Sequence, residues 1–136
     1  VGLLHDTLVA PALASEAGVS FLTHRGPSLF WVWLKATTSG IDAAQQALLR
    51  QLRALSQQPL PMATVQIAKE VTLGAYDFVN STRAGCAATL GFYASLGLLS
   101  QAAEYPRWVA AITPEDLRTV ARRYLNPQQC LIVRLR

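Results

Sequence analysis

The sequence predicts an α+β fold, with helices packed on one face of a small, mainly antiparallel sheet. Three observations lead there. Two apolar runs flank Arg25-Gly26-Pro27 and read as a hairpin. Several later segments carry apolar residues at helical spacing. The chain closes on a capped helix followed by a strand-like run, Cys130 to Leu135. That last strand has to find the hairpin across a long sequence gap.

A first helix is expected from Val1 to about Ala14, with Leu3, Leu4, Leu8 and Val9 on one side and Pro11 placed to kink or end it. Gly18 breaks the chain to an extended run. Val19 to His24 and Leu29 to Ala36 are the predicted hairpin strands. In the second, Phe30, Val32 and Leu34 point one way and Leu29, Trp31 and Trp33 the other. A strand apolar on both faces is usually central in its sheet or covered by a partner.

Ser39-Gly40 is a break. Ile41 to Ser56 has the clearest helical stripe, Ile41, Ala44, Leu48, Leu52 and Leu55. Pro59 and Pro61 frame a loop and start a helix from about Met62 to Phe78, with Ile67, Ala68, Val71, Ala75 and Phe78 expected inward. Asn80-Ser81 then caps a long uncharged helix reaching about Ala103, and Pro106 starts a helical turn through Trp108. In the closing helix Thr113 is a good N-cap, Pro114 suits the first helical position, and Glu115 and Asp116 face the positive end of the helix dipole. Leu117, Val120, Ala121, Tyr124 and Leu125 form its stripe before Asn126-Pro127 ends it.

The chain of 136 residues corresponds to one domain or a piece of one. Apolar residues make up 51% and charged residues 15%, against about 25% charged in an average soluble domain. Much of the surface is therefore expected to be covered, by other parts of a larger protein or by a partner chain. There is no initiator Met and no charged segment before the opening apolar run. The chain is read as an N-terminally truncated fragment, residues 1–136 forming a single domain. The net charge of +4 is spread over scattered Lys and Arg, which fits a solvated face rather than a nucleic-acid footprint. Cys86 and Cys130 lie in apolar stretches at no metal-ligand spacing and are expected to be reduced core residues. No residue pattern fixes the compartment; a soluble, cytoplasmic setting is the expectation.

Ala84 to Ala103 is an uncharged run of bilayer-spanning length, with Ala87, Gly91 and Ser95 at small-xxx-small spacing. Its Thr, Ser, Gln and Gly content keeps its hydrophobicity modest. It is read as a buried helix whose small face lets another helix approach closely, and no membrane span is expected.

Catalytic patterns are missing. His5 and His24 have no carboxylate or Cys at ligand spacing, and His5-Asp6 reads as a solvated helix pair. There is no Gly-x-Ser-x-Gly elbow, no phosphate loop and no carboxylate pair beyond the capping Glu115-Asp116. Trp31 and Trp33 are candidate peptide or partner contacts, set against core or domain-contact roles.

The terminal block Ile112-Thr113-Pro114-Glu115-Asp116-Leu117, followed by Val120-Ala121-Arg122-Arg123-Tyr124-Leu125-Asn126-Pro127, resembles the closing block of the pitrilysin or insulinase family of zinc peptidases (family M16). Mitochondrial processing peptidase belongs to the same family. Leu13 to Phe21, Ile41 to Leu55 and Asn80 to Leu90 resemble further segments of it in order, so the resemblance spans nearly the whole chain.

The resemblance implies the metallohydrolase fold of mitochondrial processing peptidase. In that family two similar α+β domains form each half-molecule, and two halves close around a peptide. The zinc motif His-x-x-Glu-His lies in an N-terminal domain and is missing here, so the chain resembles the second, non-zinc domain. Zinc is then implied for the parent or partner and none for this chain. The implied partners are an N-terminal domain of the same family, a second such subunit, and the peptide enclosed between them. Active relatives carry an Arg and a Tyr, seven apart, that grip substrate; the matching positions are Ala12 and Val19, and neither residue type is kept. The implied role is a non-catalytic wall of the peptide chamber. The rival readings are a stand-alone interaction module docking through Trp31 and Trp33, and a membrane-associated helical protein. A truncated sheet leaves an unpaired edge, so self-association is expected.

Overall fold

The structure, a computed structural model, describes residues 2–135. Val1, the expected start of the first helix, and Arg136 lie outside the described residues. The chain falls into two compact units, residues 1–58 with 118–136, and residues 59–117.

The first unit opens with a short helical run that takes π-type geometry over His5–Val9 and ends at Ala10 to Ala12, before the expected Ala14. Pro11 explains the early stop, since it has no N–H to continue the ladder. Leu3, Leu4, Leu8 and Val9 turn inward as expected, and Leu8 is fully buried. Around Leu8 lie Ala14 and Ala47, with Leu4, Leu13, Ala17, Leu34, Ala36 and Leu48 packed against them.

Strands β1 (Glu16–Phe21) and β2 (Phe30–Lys35) form an antiparallel hairpin in the register Glu16↔Lys35 to Phe21↔Phe30. The first strand begins three residues before Val19 and stops before His24. Pairing decides this: Ser15 N–H already donates to the Lys35 carbonyl at 2.8 Å. The connecting loop holds Gly26 at φ 104°, which glycine adopts without strain. Side-chain alternation puts Ala17, Val19 and Phe21 on one face with Leu34, Val32 and Phe30, and Gly18 and Ser20 on the other with Trp33 and Trp31. The first face carries the core.

Helix α1 (Ile41–Gln57) follows, close to its expected span, with Ala44 and Ala47 buried. The chain end departs from expectation. After a 3₁₀ turn at Pro127–Gln129, Cys130 to Leu135 forms no strand. Leu131 is 90% and Leu135 93% exposed. An alternating apolar pattern makes a strand only where a neighbouring edge supplies hydrogen bonds, and the only ladder among the described residues joins β1 to β2. What fixes this segment is Arg134, whose guanidinium donates to Asp42 Oδ1 at 2.7 Å and to Gln45 Oε1 at 2.7 and 3.1 Å.

The second unit contains α2 (Met62–Asn80), α3 (Arg83–Leu96) and α4 (Tyr105–Ala111), and α5 (Pro114–Tyr124) begins in it. Helix α2 buries the face opposite to the expected one. Val65 is buried and Lys69, Leu73, Tyr76 and Asn80 are half-buried, while Ile67, Ala68, Val71, Ala75 and Phe78 are exposed, Phe78 by 81%. The helix is apolar almost all round, so periodicity alone offers no preferred side. Packing chooses the side with polar anchors: Lys69 Nζ donates to the Ala110 carbonyl at 2.7 Å and Tyr76 Oη to the Ala102 carbonyl at 2.9 Å.

Helix α3 is capped by Thr82, whose Oγ1 accepts from Gly85 N–H at 3.0 Å. A Cβ at Gly85 would run into the Val79 carbonyl, so glycine permits the tight turn from α2. The helix stops at Gly97 (φ 76°) rather than at Ala103. It is not buried. Cys86, Thr89, Tyr93 and Leu96 are half-buried, and the small face Ala87, Gly91, Ser95 is exposed with open space beside Gly91. No helix among the described residues is long and apolar enough to cross a membrane.

Helix α5 opens on a reciprocal cap: Asp116 N–H donates to Thr113 Oγ1 at 3.2 Å and Thr113 N–H donates to Asp116 Oδ2 at 2.8 Å. Of its expected stripe, Leu117, Ala121 and Leu125 are at least half-buried while Val120 and Tyr124 are exposed.

Candidate functional site

The candidate positions Ala12, Val19, Trp31 and Trp33 all belong to the first unit, on or beside the hairpin. Ala12 closes the turn after the opening helix. Its N–H donates to the Val9 carbonyl at 2.9 Å, and its φ of 58° is the left-handed conformation that a residue with a Cβ rarely adopts. Val19 pairs with Val32 on the face that carries the core, yet it is 54% exposed because the packed residues end at Ala17 and Leu34. Phe21 and Phe30 extend the same face outward and are also exposed. Beyond the core, then, the sheet continues as a bare apolar ribbon of Val19, Phe21 and Phe30.

Trp31 and Trp33 stand on the opposite face, 58% and 46% exposed. They do not meet Val19. Trp33 crosses the strand pair and covers Gly18, while Trp31 sits across from Ser20. The hairpin therefore presents two apolar surfaces back to back. Sequence reasoning found the Trp face and missed the Phe21–Phe30 ribbon, although alternation across the true register would have revealed it.

Nothing at these positions can transfer a proton or attack a carbonyl. The histidines lie elsewhere: His5 Nδ1 is 3.4 Å from its neighbour Asp6, and His24 Nδ1 is 3.0 Å from the Arg25 carbonyl, both exposed. No group of three His, Cys, Asp or Glu among the described residues is placed to hold a metal ion. A zinc site needs at least three such protein ligands, so these residues do not fit the ion. The cysteines are free thiols, but neither is buried in a core. Cys86 is half-buried with Sγ 3.0 Å from the Asn80 carbonyl, and Cys130 is exposed with Sγ 3.1 Å from the Pro127 carbonyl. Cys130 is exposed because the strand that would have buried it does not form.

No protein-family profile matches the chain, and no curated protein matches it. Solved structures do. The inactive peptidase domain of a protein assigned as a zinc protease from Bordetella parapertussis superposes with a TM-score of 0.80 at 21% identity, over 92% of this chain and 67% of that one. A protease from Helicobacter pylori gives 0.85 at 20% identity, over 93% of this chain and 31% of that one. A protein assigned as a zinc protease from Bordetella pertussis Tohama I gives 0.74 at 20% identity, over 92% and 70%. The chain has the fold of these peptidase domains. It spans under a third of the Helicobacter protease and about two-thirds of the two Bordetella chains.

Proposed function

We propose that the chain is a non-catalytic, single C-terminal domain of a pitrilysin-like (M16-like) zinc peptidase, serving as a wall of the peptide chamber and as an interface to a partner. One observation carries this reading: nine-tenths of the chain superposes on a peptidase domain that is itself inactive. The terminal block, capped through Thr113 and Asp116, supports it from the sequence side. A zinc ion held by another domain or subunit would supply the metal-activated water for peptide-bond hydrolysis. The residues here supply shape and apolar contact. Ala12 and Val19, at the positions where active relatives grip substrate, offer neither a guanidinium nor a phenol.

The exposed ribbon Val19, Phe21, Phe30 and the Trp31/Trp33 face support a partner interface, since a contiguous apolar surface of this kind is covered in most folded proteins. The same surface favours the second reading, a protein-interaction module with no link to proteolysis. Incubation of the purified chain with zinc and an unstructured peptide separates activity from scaffold. No hydrolysis is expected from the chain alone, and acceleration is expected when a subunit carrying His-x-x-Glu-His is added. Chelator-sensitive hydrolysis by the chain alone overturns the non-catalytic role. No acceleration by any such subunit favours the interaction module. Self-association follows from the uncovered strand edges; a strictly monomeric species at high concentration in sedimentation counts against it.

A further inference from the structure

Charge is divided unevenly along this chain. The first unit, residues 1–58 and 118–136, holds nine Lys and Arg against three Asp and Glu, a net of +6; residues 59–117 hold three against five, a net of −2. All three carboxylates of the first unit are engaged: Asp6 beside His5, Glu16 beside Lys35 at 3.5 Å, and Asp42 under Arg134 at 2.7 Å. The arginines of that unit outnumber its carboxylates, so its surplus positive charge is intrinsic to its sequence.

Two of them line one cleft. Between the end of α1 and the segment running from α5 into the 3₁₀ turn lies an open cleft of about 370 Å³, bordered by Arg53, Ser56, Gln57, Arg122, Asn126 and Gln128. No carboxylate lines it, and neither guanidinium has an ion-pair partner among the described residues. The neutral groups add to the same polarity. Asn126 Oδ1 accepts from Gln128 N–H at 3.0 Å, which leaves the Asn126 amide hydrogens free to donate. The Gln57 and Gln128 carboxamides also border the opening, and each has an NH2 able to donate. Ser56 Oγ donates to the Arg53 carbonyl at 2.7 Å and ties off the last turn of α1 beneath Arg53.

The geometry points to an oxyanion-binding site in this cleft. Its ligand is a small molecule carrying a carboxylate or phosphate group, held by the two guanidinium forks with the Asn126 and glutamine amides as neutral donors. Arginine suits this task because its planar, permanently charged fork matches two oxygens of one anionic group at once. The donors come from two separate elements, so local helix chemistry does not account for their convergence. This inference is independent of the peptidase reading, and neither Ala12 nor the tryptophan face takes part.

The test is a titration of the ¹⁵N-labelled chain with pyrophosphate in one arm and glutarate in the other, at constant ionic strength. Saturable shifts are expected at residues 53, 56, 57, 122 and 126–128 in at least one arm. The tighter arm names the geometry of the anionic group. In R53Q/R122Q the affinity is expected to fall about tenfold or more, as loss of two charge-assisted contacts requires. R25Q removes one charge from the same unit outside the cleft and is expected to keep the wild-type affinity. Circular dichroism checks that R53Q/R122Q is folded; if it is not, the single variants R53Q and R122Q carry the comparison. Shifts that never saturate, that spread evenly over all arginines, or that persist in folded R53Q/R122Q overturn the site, as does an equal loss in R25Q.

Discussion

The indole of Trp33 occupies the place where a side chain at Gly18 would stand. A Cβ at Gly18 would come within 2.6 Å of Trp33 Cε2 and Cζ2 and 2.8 Å of Nε1. The two residues are directly paired across the hairpin. A large aromatic laid over a cross-strand glycine shields backbone that glycine leaves bare. This pairing, and no feature of either residue alone, explains why a helix-breaking glycine sits inside β1.

Gly18→Ala therefore sets two effects against each other. Replacing glycine in a strand recovers about 0.5–1 kcal/mol of backbone entropy. Displacing the indole forfeits aromatic packing of about the same size. The expected outcome is a stability change under about 1 kcal/mol together with a clear change in the near-ultraviolet circular dichroism of Trp33, read in a background where Trp31 and Trp108 are Phe. An unchanged Trp33 signal contradicts the contact.

Among the described residues of the first unit Leu8 is the only large side chain fully buried, and the buried residues clustered with it, Ala14 and Ala47, are too small to close a gap. Leu8→Ala is expected to cost about 3 kcal/mol, transfer and cavity terms together. Urea unfolding followed through hairpin amides measures it. A loss under about 1 kcal/mol means that the core is organised elsewhere.

Ala12 holds a left-handed backbone, which costs a residue with a Cβ roughly 1–2 kcal/mol. Ala12→Gly relieves that strain but gives the unfolded chain more freedom, about 0.5–1 kcal/mol. A net gain of up to about 1 kcal/mol is expected in thermal or denaturant unfolding. Destabilisation shows that the turn does not demand φ > 0.

Asp116 is held below the ordinary carboxylate value by hydrogen bonds from Thr113, first from its hydroxyl and then from its backbone N–H, with Lys69 a lesser contribution. A depressed value means that the folded chain binds the proton less readily than the unfolded one. The stabilisation is thus present above about pH 4 and lost as pH falls through the lower folded value. Amide shifts in the first turn of α5 are expected to titrate in that acid window, and Asp116→Asn to flatten them. Thr113→Ala removes the cap itself and is expected to cost about 1 kcal/mol.

Tyr93 moves the other way. Burial raises its phenol above 10, and neighbouring Tyr105 and Tyr76 raise it further; these two stack with ring centroids 5.0 Å apart. The folded chain holds that proton more tightly, so the stabilisation is full below about pH 10 and lost as pH rises through the folded value. Stability measured from pH 9 to 12 is expected to fall more steeply in the native chain than in Tyr93→Phe. Parallel curves contradict the assignment.

Element positions were legible in the sequence to the extent that local chemistry sets them. Ser39-Gly40 stands before α1, which runs one residue past the expected Ser56, Pro61 stands before α2, and Thr113 with Asp116 starts α5, each through groups within a few residues of the boundary. The candidate site was legible in part. Alternation put Trp31 and Trp33 on one face of their strand, where the structure leaves them exposed, but the ribbon of Val19, Phe21 and Phe30 emerged only with the register. The missing metal pattern could be read directly, because ligand types and spacings are properties of the sequence.

By itself the sequence determined the order of the hairpin and the helices, the Thr113 cap of α5, the α+β class and the lack of a zinc motif, since each depends on neighbours along the chain. Only the tertiary structure decided which face of α2 is buried, where β1 starts, and that Cys130 to Leu135 stays unpaired. The physical reason is common to all three. A helix apolar nearly all round has no preferred side until Lys69 and Tyr76 find the Ala110 and Ala102 carbonyls. A run of alternating apolar residues likewise has no strand to join until another edge lies beside it.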